Sequence, residues 1–270
     1  MPRVSVCVPT HDGARWVSAT LHSVLAQTYR DFEVVVSDDR SVDGTLDVVR
    51  AIRDPRIRIV GSPSRPGAAA NWNHAVRSSA GDLVKLLCQD DLLAPGALAA
   101  EVAVLDAPGH EDAAFTWFRR DVVDSEGRRV NRWPHFRAPD AAHGVAVLAR
   151  VVVRSGRNPV GEPLVVTFRR SAYDRTAGFR GDYVIDLDMW LQLASVGPGI
   201  AIPATLGAFR VSPTSWSNTL RREQHDEVRA LHRRLRAAYP SAITGLDAVR
   251  GRVAVALLTL AREVVQRVVR

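Results

Sequence analysis

Four short apolar runs, at residues 4–8, 32–36, 56–60 and 83–92, are separated by stretches whose apolar residues recur at helical spacing. This alternation limits what the chain can fold into more than any other feature. Residues 14–26 place Val17, Leu21, Val24 and Leu25 on one helical face, and the segment after Thr45 does the same with Leu46, Val49 and Ile52. A breaker-rich stretch at 61–67 leads into a small-residue helix over 67–77. Strand and helix alternating four times predicts a parallel sheet covered on both faces. In such a sheet the ligand crevice lies outside the carboxyl ends of the strands. Those ends are acidic here: the second run leads into Asp38-Asp39, and the fourth, read as one buried strand over 83–92, carries Asp90-Asp91 at its carboxyl end.

Two adjacent carboxylates repel each other at neutral pH unless water screens them or a cation joins them, so a divalent metal site is expected there. The first strand is followed by Pro9-Thr10-His11-Asp12-Gly13 in place of a Gly-x-Gly-x-x-Gly turn, and the Walker phosphate loop is missing. Carboxylates can accept hydrogen bonds from a base N–H and from ribose hydroxyls, and can hold a metal that neutralises a diphosphate. Phosphate binding is therefore expected to run through a cation. The net charge of +7, nearly all arginine with Lys85 as the one lysine, suits a phosphate-bearing ligand or an anionic membrane. Nucleic acid is not expected, because no basic block is interleaved with aromatics. Cys7 and Cys88 lie in apolar runs, as buried inert thiols would. Without a disulfide framework, a signal peptide or an apolar stretch of about 20 residues, a cytoplasmic chain is expected, with membrane contact at most peripheral at the inner face.

The second half is less regular. After a helix over 95–105, residues 113–119 and 128–132 read as strands of a hairpin joined through Asp124-Ser125-Glu126-Gly127. Residues 133–143 read as a loop long enough to cover a binding site, in which His135 and Arg137 either touch an acceptor or are solvated. A helix over 144–154 leads to the turn Asn158-Pro159-Val160-Gly161-Glu162-Pro163, a strand over 164–168 and the pair Arg169-Arg170, which either faces phosphate or is exposed. Leu187, Trp190, Leu191 and Ala194 mark an amphipathic helix with Asp186 at its start. On residue chemistry alone Asp186 is either a general base or an N-cap, with Asp182 as the rival base. A strand over 206–211 follows, then helices over 219–238 and 246–270. The last of these carries Val253, Leu257, Leu260, Val264 and Val268 among Arg250, Arg252, Arg267 and Arg270. Such a basic amphipathic helix either lies on an anionic membrane or packs against the body or a second subunit.

Four features in order resemble the family 2, GT-A fold glycosyltransferases: Val8-Pro9-Thr10-His11-Asp12; Asp38-Asp39-Arg40-Ser41-Val42-Asp43-Gly44-Thr45; the segment 67–77 with Asn71; and Gln89-Asp90-Asp91. The helix around Asp186 and the segment Phe209-Arg210-Val211-Ser212 are similar to later motifs of that family. The resemblance implies an α/β, GT-A fold: a Rossmann-like, mostly parallel nucleotide-binding sheet flanked by helices, an abutting acceptor-binding half and C-terminal helices. Its parts would be a nucleotide-sugar-binding half over 1–112, an acceptor-binding and catalytic-base half over 113–217, and a helical tail over 218–270. It implies inverting, metal-dependent sugar transfer from a UDP-sugar or dTDP-sugar to a hydroxyl of a carbohydrate, lipid-linked or small-molecule acceptor.

In that pattern Thr10 and Asp39 contact the base, Asp90 the ribose or donor sugar, Asp91 the Mg²⁺ or Mn²⁺ on the diphosphate, and Asp186 is the general base. Pro9, Asp12, Asp38 and Asn71 complete the nucleotide side, with Arg210 and Ser212 toward the diphosphate. The chain departs from the pattern in four places. His11-Asp12 replaces an aromatic-Asn pair, Ile185 a Glu, Leu187 an aromatic, and Ser212 a histidine that helps bind metal or diphosphate. A nucleotide- or sugar-binding module without turnover is the alternative these departures leave. Membrane contact or a homodimer through the C-terminal helices would complete the partners.

Overall fold

The alternation read in the first third is realised as strands β1 (Val4–Thr10), β2 (Phe32–Asp38), β3 (Ile57–Val60) and β4 (Leu83–Leu86) with helices α1 (Val17–Leu25), α2 (Thr45–Ala51) and α3 (Ala68–Arg77) between them. The structure is a computed structural model and describes residues 1–61, 66–130, 142–212 and 223–255. These four strands pair in parallel in the order β3-β2-β1-β4, with Val4 opposite both Phe32 and Leu83. β1 is buried along its whole length and β2 nearly so, as expected of parallel strands covered on both faces. α1 buries Val17, Leu21 and Val24, the face its spacing foretold.

The 83–92 run is not one strand. β4 stops at Leu86; Leu87 N–H donates to Cys7 O as the last rung beside β1, and Asp91 N–H closes a turn onto Cys88 O. Leu92–Leu93 then forms a separate strand, β5, antiparallel to β9. The apolar run reported burial rather than extended conformation, since Leu87 is fully buried without belonging to the strand. Asp90 and Asp91 thus stand in a turn beyond the strand end.

After α4 (Ala97–Leu105) the chain adds β6 (Phe115–Val123), β7 (Ala142–His143), α5 (Val145–Ser155), a 3₁₀ turn at Pro163–Val165, β8 (Val166–Arg169), a short α6 (Arg170–Tyr173), α7 (Ile185–Val196) and β9 (Gly199–Arg210). β8 inserts antiparallel between β4 and β6, and β9 runs parallel to β6 and antiparallel to β5 and β7. The sheet order is β3-β2-β1-β4-β8-β6-β9-β5, with β7 on β9. Consequently β1, β2, β4, β6 and β9 all end at one edge of the sheet, and β8 begins there. That edge collects residues 10–13, 38–39, 88–91, 124–127, 158–162 and 210.

Among the described residues the expected hairpin after β6 shows a turn at Asp124–Gly127 and a bridge between Val123 and Arg129; residues 131 and 132 of its second strand lie outside them. Most of the loop over 133–143, with His135 and Arg137, lies outside the described residues; its end forms β7. A C-terminal helix α8 (Glu223–Ala238) is followed by helical turns over 245–255, here α9; residues 219–222 and 256–270 of the two expected tail helices lie outside the described residues. Among the described residues no helix is long and apolar enough to cross a membrane.

Candidate active site

On the nucleotide side, the parallel register sets Thr10 beside Asp38, and Thr10 Oγ1 donates to Asp38 Oδ1 at 2.8 Å. Asp38 also accepts the backbone N–H and the hydroxyl of Ser41, so both its oxygens serve to shape the following loop. Asp39 differs. Its Oδ2 accepts the Gly67 N–H at 2.6 Å, while its Oδ1 is buried without a hydrogen-bond partner. A buried unsatisfied carboxylate oxygen is costly, and it is the kind of group a ligand N–H or hydroxyl would satisfy. Asn71 is tied inward, accepting from Ser37 Oγ at 2.6 Å and donating to Thr10 O at 3.2 Å.

The loop after β1 is braced from two sides. Asp12, at positive φ (45°), accepts the Val42 N–H, and His11 Nδ1 lies 2.7 Å from Asp39 O. The Gln89 amide exchanges both of its hydrogen bonds with the His11 backbone, at 2.9 and 2.8 Å. It lies so close over Gly13 that a Cβ there would come within 2.1 Å of Gln89 Oε1, so a side chain at 13 would displace the Gln89 amide. Asp43 accepts the N–H groups of Ala14 and Thr45 and so closes the entrance to α2. Pro9, the penultimate residue of β1, is buried and pairs with Ser37 of β2.

The diphosphate side follows from β5 and β9. Pairing Leu92 with Ala208 carries the antiparallel register onward to Asp90 opposite Arg210. Arg210 N–H donates to Asp91 Oδ1 at 3.0 Å, and its guanidinium donates to the carbonyls of Asp90, Asp124 and Ser125. Arg210 therefore staples two turns together through backbone oxygens. Ser212, two residues on, is buried. Asp91 is fully buried, and its Oδ2 has no hydrogen-bond partner. Burial, and then the adjacent Asp90 carboxylate, push the Asp91 carboxyl well above the usual range, and burial raises Asp90 as well.

Asp186 opens α7, half-buried. Its Oδ1 accepts the Leu187 N–H at 2.7 Å and its Oδ2 accepts Asn158 Nδ2 at 3.1 Å. Asn158 also shapes its own turn, accepting the N–H groups of Val160 and Gly161, while Trp190 Nε1 donates to Gly161 O. Desolvation raises the Asp186 pKa to about 7, with the nearby Glu162 carboxylate adding to the rise. Such a value suits a group that must take up a proton near neutrality. Asp188, on the same turn, is buried and committed to Arg180, Arg234 and Gln192, whereas the rival Asp182 is exposed. The fields of Asp91, Asp90, Asp186 and Glu162 all reach the Cys88 thiol, whose own pKa burial and these carboxylates push well up. The two acidic sides thus both lie near Cys88.

The family model for glycosyl transferase family 2 matches residues 5–158, over half of the chain. The chain belongs to glycosyl transferase family 2. It is 31% identical over 200 residues to the uncharacterized protein MT1568 of Mycobacterium tuberculosis, covering 71% of this chain and 62% of that protein's length. The fold superposes on S. aureus TarS 1–349 in complex with UDP-GlcNAc at a TM-score of 0.63, with 19% identity, over 80% of this chain and 61% of that one. It superposes on the mannosyltransferase PcManGT from Pyrobaculum calidifontis, in complex with GDP-Man and Mn²⁺, at 0.59 with 22% identity, over 97% and 80% of the two chains. These likenesses establish the GT-A fold expected of the family.

Within this family 2 chain the pair Arg169-Arg170 settles on neither of its two expected roles. Arg169 donates to the carbonyls of Ala113, Leu105 and His110, and Arg170 to Gly81 O, Val76 O and Ser79 Oγ, at the edge of the sheet away from the crevice. Glu162 and its partner Arg120, bonded at 2.7 Å, are additions that the sequence did not single out. Asn158 was visible only as a turn residue, and its approach to Asp186 depends on the long-range placement of α7.

Proposed function

We propose that this family 2 protein is an inverting glycosyltransferase that moves a sugar from a UDP-sugar or dTDP-sugar to an acceptor hydroxyl, with Asp186 as general base. The observation that carries the reading is that Asp186, held by the turn at Asn158, and the pair Asp90-Asp91, with Asp91 fully buried, lie close around Cys88. An acceptor hydroxyl bound at Asp186 would give its proton to the carboxylate as its oxygen bonds to the anomeric carbon. The bond from that carbon to the diphosphate oxygen breaks as the new one forms, and its electron pair leaves with the nucleoside diphosphate. Asn158 and the Leu187 N–H hold the base carboxylate in orientation. Asp39 Oδ1, buried and unpartnered, suits a base N–H, and Asp90 suits the ribose or donor sugar.

The residues present fit a Mg²⁺ or Mn²⁺ bound mainly through diphosphate and water. Asp91 presents one buried oxygen without a partner, and among the described residues no group of three His, Cys, Asp or Glu side chains forms a protein cage. Asp91 would hold the ion, with Ser212 nearby. When bound, the ion would offset the charge that builds on the departing diphosphate. Mn²⁺ in the complex of PcManGT supports this choice of metal.

The test is release of nucleoside diphosphate from UDP-GlcNAc, UDP-glucose and dTDP-glucose with Mn²⁺, with and without an acceptor panel, on wild type and Asp186→Asn. Transfer by the wild type and its loss in Asp186→Asn is the expected result. Metal-dependent UDP binding without turnover of any donor would identify a binding module instead.

A further inference from the structure

At the start of α7, Val184 occupies the N-cap position and makes no side-chain capping bond, while Asp186 accepts the Leu187 N–H. The first backbone N–H groups of a helix lack intrahelical partners and need an acceptor from elsewhere. For the N-cap residue Val184 and the two residues before it, that acceptor is the carboxylate of Glu227 on α8. Its Oε1 accepts the N–H of Asp182 at 3.1 Å, and its Oε2 accepts those of Tyr183 and Val184 at 3.0 and 3.1 Å. Gly181, at φ +83°, lets the chain wrap this close, for a Cβ there would sit 3.2 Å from Glu227 Oε2. Two helical turns further along α8, on the same face, Arg234 pairs with the buried Asp188, which Arg180 holds from the other side at 2.7 Å. Asp186 lies between these two ties.

The rest of α7 is held differently. Met189, Trp190, Leu191, Leu193 and Ala194 are buried in the core, so the body of the helix does not depend on α8. Its first turn buries Ile185 and Leu187 in the same core, but the approach to it, residues 182–184, is held by Glu227. We infer that Glu227 is a positioning residue: by gathering three successive N–H groups it fixes the segment that leads into α7, as far as its N-cap Val184, and with it the place of Asp186 opposite the donor. The inference rests on the reading of Asp186 as the base. It gives the C-terminal helix a part in the reaction without any contact with substrate.

The test compares Glu227→Ala and Glu227→Gln with wild type and Asp186→Asn in the donor-turnover assay, alongside hydrogen exchange followed peptide by peptide. Glu227→Ala is expected to lower kcat about tenfold with donor KM within about twofold of wild type, since a small misplacement of a reacting group is costly. Glu227→Gln, which keeps an acceptor oxygen, is expected to restore kcat to within about threefold. Amides at 182–187 should exchange at least about tenfold faster in Glu227→Ala, while those at 190–194 stay unchanged. The inference is overturned if kcat of Glu227→Ala matches wild type, if kcat and KM change alike, or if exchange at 182–187 does not move. Asp186→Asn separates the two readings. If that variant keeps turnover the base reading fails, whereas loss of turnover there with an unaltered Glu227→Ala defeats the positioning role alone.

Discussion

Strand β4 and the turn that follows it treat buried charge in opposite ways. Lys85, within the strand, is fully buried and matched by the equally buried Glu101 of α4, Nζ to Oε1 at 2.6 Å, with Nζ also 4.4 Å from the centre of the Phe118 ring. Burial pulls the lysine pKa down and pushes the glutamate up, and each partner opposes the shift of the other. A few residues on, Asp91 is as deeply buried but stands next to another carboxylate, offset in part by Arg210; one of its oxygens, like Oε2 of Glu101, has no hydrogen-bond partner. The contrast is one of charge: Lys85 and Glu101 neutralise each other within the fold, whereas Asp91 has another carboxylate as its neighbour. Charge left unmatched at the crevice edge is then best read as matched from outside, by a cation and its diphosphate.

The largest expected effect breaks or upholds the functional side of this comparison. Asp186→Asn should lower turnover about a thousand-fold, roughly 4 kcal/mol of barrier, with donor KM within about twofold. Retention of a tenth of the turnover in steady-state kinetics would remove Asp186 from the base role. The structural side is tested by Lys85→Ala, which should cost about 3–5 kcal/mol in urea unfolding because it strands Glu101. The double variant Lys85→Met with Glu101→Leu should recover most of that loss. A double variant no more stable than the single one would show that the pair is not a matched unit.

A smaller effect concerns stability. The folded pKa of Asp186, about 7, lies above its value in an unfolded chain, near 3.8, so its contribution is fully present at low pH and is lost as pH rises through 7. Asp186→Asn should therefore stabilise the protein at pH 8 by about 2 kcal/mol and leave it unchanged near pH 4. Equal stability of the two proteins at pH 8 would mean that the charged Asp186 is not strained. The smallest effect is on the acid limb of kcat. Activity should fall below a midpoint near 7, and Asn158→Ala, which removes a hydrogen bond to the charged form, should move that midpoint up by about half a unit. A midpoint that stays in place would exclude Asn158 from tuning the base.

How far the sequence disclosed these features follows from how local each one is. β1 to β4 and the helices between them were legible because each carries its own period and breakers, as Val17, Leu21 and Val24 show in α1. The insertion of β8 between β4 and β6 was not, since pairing between Val84 and Phe168 is decided by tertiary packing. Asp38, Asp39, Asp90 and Asp91 could be placed at one edge because strand ends in a parallel sheet coincide. Their division of labour could not: Asp38 turns out to brace Ser41 and Thr10, while Asp39 and Asp91 each keep a buried oxygen unpartnered. Asp186 and Asp188 look equivalent in sequence, two residues apart on one turn. They part only because Arg180 and Arg234, from elsewhere in the chain, converge on Asp188. Glu227 had no sequence signal at all, because its three partners are backbone groups some 44 positions away.

The central claim is that the unmatched oxygen of Asp91 is completed by a divalent cation on the donor diphosphate. Isothermal titration of UDP into wild type and Asp91→Ala, each with and without Mn²⁺, tests it most directly. Wild type should bind UDP at least about tenfold more tightly with Mn²⁺, and Asp91→Ala should lose that increment while keeping its metal-free affinity. A UDP affinity that gains as much from Mn²⁺ in Asp91→Ala as in wild type would contradict the account.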